Sequence, residues 1–231
     1  MSKHLERDLE RLKREILVMG SLAEEAMRRA LEALFNESYE LAGEVIRGDG
    51  ELDRKEVEVE EECLKVLALH QPVAADLRFI VAVLKVNNDL ERMGDLAQTI
   101  ASRAQMISKL DRMEPPNVLR ALADRVRQMV KRSLDALVRL DPNLARSVCR
   151  DDDEVDALHR KMFLSMQELM MGDSKIVPNA LCYISVSRAL ERIADLATNI
   201  AEDVVFTVEG DVIRHGRGRE MGDVIPLHRT S

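Results

Sequence analysis

The chain has 231 residues and a formal net charge of −8; 46% of its residues are hydrophobic, only 3% are aromatic, and tryptophan is absent. That is enough apolar material for one large or two small globular domains, and it excludes a disordered chain. A core poor in aromatics and rich in Leu, Ala, Met and Val suits helices rather than a sheet, and the acidic field repels both nucleic acid and free phosphate.

Leu5, Leu9, Leu12, Ile16, Met19, Ala23, Ala26 and Ala30 step alternately by four and three, which predicts a long first helix ending near Leu34–Asn36. Met19-Gly20 is a point where it can slacken. A second helix is expected from Ser38–Tyr39 to about Leu69, with a bend or break at Gly48-Asp49-Gly50. His70-Gln71-Pro72 is the next turn, because proline cannot continue a helix interior. The third helix runs from about Ala74 to Leu110 on the stripe Val83, Val86, Leu90, Met93, Ala97, Ile100 and Ala104.

Pro115-Pro116 marks the boundary between two halves. Leu119, Leu122, Val126, Met129, Leu137 and Leu140 line a fourth helix that Asp141-Pro142 ends. A fifth runs from about Asn143 to Met171, a hairpin follows at Gly172-Asp173-Ser174, and a sixth runs from about Pro178 to Val208. The expectation is an all-α fold of six long helices in two tandem, pseudo-symmetric three-helix bundles, residues 1–113 and 114–209. The Gly- and Arg-rich residues 210–231 read as a flexible tail.

The three cysteines, Cys63, Cys149 and Cys182, are far apart and form no CxxC pair. They read as reduced, buried thiols rather than a disulfide frame or a thiolate metal site. The first residues have no apolar signal region, and no run of about 18 apolar residues exists to span a membrane. The chain is therefore expected in the cytoplasm, without membrane insertion.

One phrase occurs twice. LERMGDLAQTIA at 90–101 and LERIADLATNIA at 190–201 agree at eight of twelve positions, 100 residues apart. A unit repeated at that distance indicates a duplicated domain rather than a solenoid, whose periods run about 20–50 residues. Each copy sets a glutamate and an aspartate four apart, Glu91 with Asp95 and Glu191 with Asp195, which places both carboxylates on one helix face. The same spacing recurs in Asp49/Asp53 and Asp152/Asp156.

Antiparallel hairpins bring these motifs together. Turns centred near residues 70–76 and 173–178 put Asp53 level with Met93, and Asp156 level with Asp195. Carboxylates gathered within one helical turn repel unless a positive charge sits among them; Arg92, Arg192 or a metal ion can supply it. An all-carboxylate set suits hard, oxygen-seeking cations. The bland reading of the same residues is a solvated helix face: Asn88, Glu91, Asp95, Gln98 and Ser102 lie opposite the apolar stripe. Asp156-x-x-His159 is the nearest approach to the Glu-x-x-His of di-iron bundles and occurs once, which argues against an oxidase. His4, His70 and His159 read as surface or helix-end residues, and His215 and His228 belong to the tail. No Ser-His-Asp or Cys-His signature and no Gly-rich phosphate loop is present, so the chain is not read as an enzyme.

The two LER phrases, together with EEAMRRALEAL, ELAGEVIRGDGELD, LALHQPVAADLRFI and NIAEDVVF, resemble the PhoU family over residues 5–208. The resemblance implies two three-helix bundles, often as a homodimer, and surface multinuclear metal clusters, iron or zinc in some members, on the acid-x-x-x-Asp motifs. By motif match it gives Glu91, Asp95, Glu191 and Asp195 a ligand role, with Asp53 and Asp156 as level partners and Glu202 as a further candidate. Iron, zinc, manganese and magnesium are the ions in view. The chain departs from the family pattern at Leu196, where many members have His, and at Ser102, where many have Glu; the second hairpin also has no equivalent of Asp76-Leu77-Arg78.

The implied role is negative regulation of the phosphate-starvation response and of phosphate uptake. It is that of an adaptor between the phosphate ABC transporter, through its ATPase subunit, and a sensor histidine kinase at the inner membrane. The competing reading of the same carboxylates is a metal-storage or metal-dependent hydrolytic protein.

Overall fold

The computed structural model describes residues 3–48 and 50–210; Asp49 and the expected tail from 211 onward, with His215 and His228, lie outside the described residues. The order is α1 (Lys3–Phe35), α2 (Tyr39–Arg47), α3 (Gly50–His70), α4 (Ala74–Ile107), α5 (Asn117–Arg139), α6 (Pro142–Gly172), a 3-10 turn (Ser174–Ile176) and α7 (Val177–Glu209). The six-helix plan holds, with its second helix divided into α2 and α3 at the expected glycines. No helix among the described residues is long and apolar enough to cross a membrane.

The alternating stripe of α1 is buried from Leu5 to Ala30 except at Ala26, which is half-buried while its neighbour Met27 takes the core position. Its other face carries ion pairs one turn apart, such as Arg28 to Glu25 at 2.6 Å and to Glu32 at 2.7 Å. Met19-Gly20 does not slacken this helix. Gly20 is buried, and a Cβ added there would stand 3.0 Å from Leu134 Cδ1 of α5. The glycine therefore serves the close passage of α5 over α1. Side-chain caps start α2 and α6: Ser38 accepts from the Leu41 amide, and Asp141 accepts from the Asn143 and Leu144 amides with Pro142 in the first turn.

The centre of the molecule is the antiparallel pair α4 and α7. Lys85 Nζ donates to Asp203 Oδ1 at 2.9 Å, and Arg103 Nε donates to Ser185 Oγ at 3.0 Å. Lys85 and Ser185 differ by 100 residues, as do Arg103 and Asp203, so the two bonds are mates about a pseudo-twofold axis passing between Gly94 and Ala194. The repeated phrase thus crosses itself. Gly94 and Ala194, with Ala97, Ala101, Ala197 and Ala201, are buried there, and small side chains bring helix axes close. The buried apolar residues of both halves form one continuous cluster.

The linker before α5 is tied down from α7. Tyr183 is fully buried and donates to the Met113 carbonyl at 2.8 Å, and Asn179 donates to the Asp111 carbonyl at 3.0 Å.

Candidate functional site

Two bonds fix the register of the hairpins. Asn87 Nδ2 of α4 donates to the Glu56 carbonyl of α3 at 2.8 Å. His159 Nδ1 of α6 lies 2.7 Å from Ser187 Oγ of α7. Three residues further along each antiparallel pair, Asp53 stands level with Leu90 and Asp156 with Leu190. The expected levels, Met93 and Asp195, are therefore displaced by three to five residues. The chain turns earlier than assumed, at Gln71-Pro72 and at Asp173. The corrected register puts Asp53 within one residue of the level of Glu91 and Asp156 within one residue of that of Glu191, the same arrangement in both halves.

The same two bonds relate α3 to α6 by 103 residues, while α4 and α7 are related by 100. At the offset of 103 a second repeat becomes visible: LAGEVIRGDGELD at 41–53 against LARSVCRDDDEVD at 144–156, identical at seven of thirteen positions. Asp49 is thereby the counterpart of Asp152, and Asp53 of Asp156. The longer second hairpin, with its 3-10 turn, accounts for the difference in offset.

Glu91 and Glu191 are half-buried, as is Asp156; Asp53, Asp95 and Asp195 are exposed. The solvated-face reading expected Glu91 and Asp95 in solvent; Asp95 is exposed and Glu91 half-buried. Two of these candidates, Asp195 and the half-buried Glu202, open onto a cleft of about 1300 Å³ between α4, α6 and α7. Glu91, Asp95, Glu191, Asp53 and Asp156 do not line it. Asp89, Asp152, Asp153 and Asp203 line it instead, interleaved with Lys85, Arg92, Arg146, Arg150 and Arg192. Asp152 is 3% exposed and Asp203 2%.

Charge neutralisation explains how such acids are tolerated at low exposure. Lys85 pairs with Asp203 and stands over the Phe206 ring at 5.4 Å, and Arg92 approaches Asp89 at 3.8 Å. Cys149 also faces the cleft. Its thiol is pushed up to about 11, first by burial and then by the negative charges of Glu202 and Asp152. Burial does the same to Cys63, pushed up to about 12, and raises Cys182. All three are therefore protonated at neutral pH and poor nucleophiles.

His70 and His159 are occupied structurally. His70 Nε2 lies 2.9 Å from Asp8 Oδ2 and ties α3 to α1, and His159 bridges α6 to Ser187. The donor chemistry of the cleft fits a hard cation: carboxylates converge from three helices, with arginines between them to limit their repulsion. In their present rotamers, no three His, Cys, Asp or Glu side chains among the described residues form a group placed to hold an ion. A cation would have to draw Asp152, Asp195 and Glu202 together.

Comparison with known proteins identifies the family and the fold. The family model "PhoU domain" matches twice, over residues 16–104 and 119–204. The phosphate-specific transport system accessory protein PhoU of Edwardsiella tarda is 33% identical, covering 96% of this chain and 91% of that protein. The PhoU homolog of Aquifex aeolicus is 36% identical over 94% of this chain and 98% of its own. The crystal structure of PhoU from Pseudomonas aeruginosa superposes with a TM-score of 0.84 at 36% identity, covering 89% of this chain and 99% of that one.

Proposed function

Because the chain belongs to the PhoU domain family, we propose that it is an accessory regulator of phosphate transport that damps phosphate uptake and the phosphate-starvation response. It acts as a cytoplasmic adaptor between the ATPase subunit of a phosphate ABC transporter and a sensor histidine kinase, and works as a homodimer. The observation that carries this reading is the near full-length match to phosphate-specific transport accessory proteins, in a chain whose cleft holds buried acids rather than a nucleophile. Protonated thiols and structurally engaged histidines favour a binding platform over a hydrolytic one.

The carboxylates are assigned to a divalent cation, with Asp195, Glu202 and Asp152 as cleft ligands. Glu91, Asp95, Glu191, Asp53 and Asp156 are assigned to the flanking helix faces where the hairpin register pairs them. Iron, zinc, manganese or magnesium supplies the positive charge that an acidic platform needs before it can attract a phosphorylated or acidic partner. The test is deletion of the gene followed by measurement of phosphate-responsive transcription in phosphate-rich medium. Constitutive expression is expected, and unchanged repression overturns the regulatory reading.

A further inference from the structure

The outer face of the first hairpin is both apolar and acidic. Along α3, Val57, Glu60, Leu64 and Leu67 step by three, four and three, and along α4, Leu77, Val81 and Leu84 step by four and three. The bond from Asn87 to the Glu56 carbonyl sets Leu64 level with Phe79, so the two stripes border one groove. The other side of α3 is turned to α1 by the pairs of Lys55 with Glu15 and of Glu62 with Arg11. Val57, Leu64 and Leu77 are 50%, 54% and 40% exposed.

The acids of this groove lack cations. Glu60, Glu61 and Asp76 have no ion-pair partner among the described residues, and the nearby Lys65 is taken by Glu62. Burial, then the charge of Glu60, holds the neighbouring Glu56 carboxyl above its ordinary value. An apolar stripe set among unpaired carboxylates fits an occupant with apolar side chains and positive charge.

Such a segment begins beside the groove. Arg78 Nε donates to the Thr207 carbonyl at 3.3 Å, and the Arg78 guanidinium carbon lies 3.9 Å from where a Cβ of Gly210 would stand. Leu77 is the adjacent residue of α4, and Leu84 lies six residues from Arg78, about 9 Å along the helix. Residues 211–231 read DVIRHGRGREMGDVIPLHRTS. Asp-Val-Ile occurs twice, at 211–213 and 223–225, and the stretch between holds Arg214, Arg217 and Arg219 with no acid before Glu220.

The matched face of the second half does not fit this segment. There Phe163 and Leu181 are exposed among the exposed cations Arg160, Lys161 and Arg188, which repel arginine. Leu181 also stands 29 residues back along α7 from Gly210, about 44 Å away. A random coil of the length from Gly210 to Ile225 spans only about 20 Å.

We propose that residues 212–227 dock in the α3–α4 groove of their own chain: the two Val-Ile pairs cover Leu64, Leu77 and Val81, and the arginines between them meet Glu60, Glu61 and Asp76. Exposed ion pairs are individually weak, so they select the face, while the apolar contacts and the covalent tether supply the strength.

The experiment is photo-cross-linking in the full chain, with p-benzoylphenylalanine in place of Leu64, or of Phe163 for comparison, and the products mapped by peptide mass spectrometry. Both positions are exposed, and far-UV circular dichroism checks that each variant is folded. An equal mixture of isotope-labelled and unlabelled chains separates contacts within a chain from contacts between copies. Position 64 is expected to cross-link to residues 211–231 of its own chain, and position 163 is not. Glu60→Lys with Glu61→Lys should lower that cross-link roughly threefold or more, and Ile225→Asp should lower it as well.

Cross-links from position 64 that avoid residues 211–231, that join two copies, or that form equally from position 163 overturn the proposal. A yield indifferent to the charge reversals and to Ile225→Asp overturns it too, because the groove would then not recognise the segment by charge or by apolar contact.

Discussion

The two halves of this chain carry the same phrases and finish them differently. In the second half LARSVCRDDDEVD runs through one unbroken helix, α6. In the first half the matching LAGEVIRGDGELD breaks at Gly48, where α2 stops and α3 restarts at Gly50. The residue opposite Gly48 is Asp151, which ion-pairs with Arg125 at 3.0 Å and with Arg132, both on α5. A helix persists where a side chain anchors it to its neighbour, and yields where glycine offers neither anchor nor propensity. A duplicated fold can therefore conserve its core while its surface diverges, because the constraints on the two are separate.

If that separation is correct, matched core positions should behave alike. Leu90 and Leu190 are both fully buried and head the repeated phrase. Leu90→Ala and Leu190→Ala are each expected to cost about 2–5 kcal/mol in urea unfolding. Because one apolar cluster spans both halves, each variant should still unfold in a single transition. A variant in which one half melts separately would show that the halves do not share a cooperative core.

Matched surface positions should differ. Asp151→Ala removes the clamp between α6 and α5 and is expected to cost about 1–3 kcal/mol, between the values for exposed and buried ion pairs. Amide exchange should accelerate around residues 148–155. The corresponding change in the first half, Gly48→Ala, should be close to neutral. Equal effects at the two positions would refute the account of the break.

The hairpins offer a smaller test. The first turns through Gln71 and Ala74, both with positive φ (45° and 50°). The second uses the Asp173 cap and a 3-10 turn instead, and Asp173 lies in extended backbone. Left-handed backbone is costly for a residue with a Cβ, although glycine also gains freedom in the unfolded chain. Gln71→Gly is expected to stabilise by about 0.5 kcal/mol in thermal unfolding; a loss of that size would mean that the side chain does more than turn the chain.

How much was legible depends on which interactions set each feature. The helices and their ends followed from local rules: the stripe beginning at Leu5, the prolines at 72, 116 and 142, the glycines at 48 and 50. The pairing of Asp53 with the Glu91 turn was legible in kind but not in register, because a hairpin's level depends on where the chain turns, and that depends on backbone states such as Gln71 adopts. The cleft was mostly illegible. Asp89 and Asp203 lie on helix faces that look like ordinary polar flanks of an apolar stripe. Only the antiparallel crossing at Gly94 and Ala194 brings them together with Asp152. The second repeat, LAGEVIRGDGELD against LARSVCRDDDEVD, was hidden by three extra residues in one turn.

The finest test of the comparison is electrostatic. Glu56 has His159 as its counterpart, so the first half places a carboxylate where the second places a histidine. The Glu56 carboxyl is raised above its ordinary value by burial first, then by the charges of Glu60 and Asp53. A carboxyl whose folded pKa lies above its unfolded one opposes folding when ionised. That penalty is therefore present at neutral pH and disappears as pH falls through the folded pKa. Asp53→Asn removes one repelling charge, so it should lower the Glu56 pKa in an NMR titration and raise stability at pH 7 by a few tenths of a kcal/mol, with no gain at pH 3. The sign carries the argument. With a cation held beside Asp53, the carboxylate would be part of a neutralised pair, and its removal would raise the Glu56 pKa instead. A rise would place a cation beside Asp53, and a fall leaves Glu56 and Asp53 as mutually repelling neighbours.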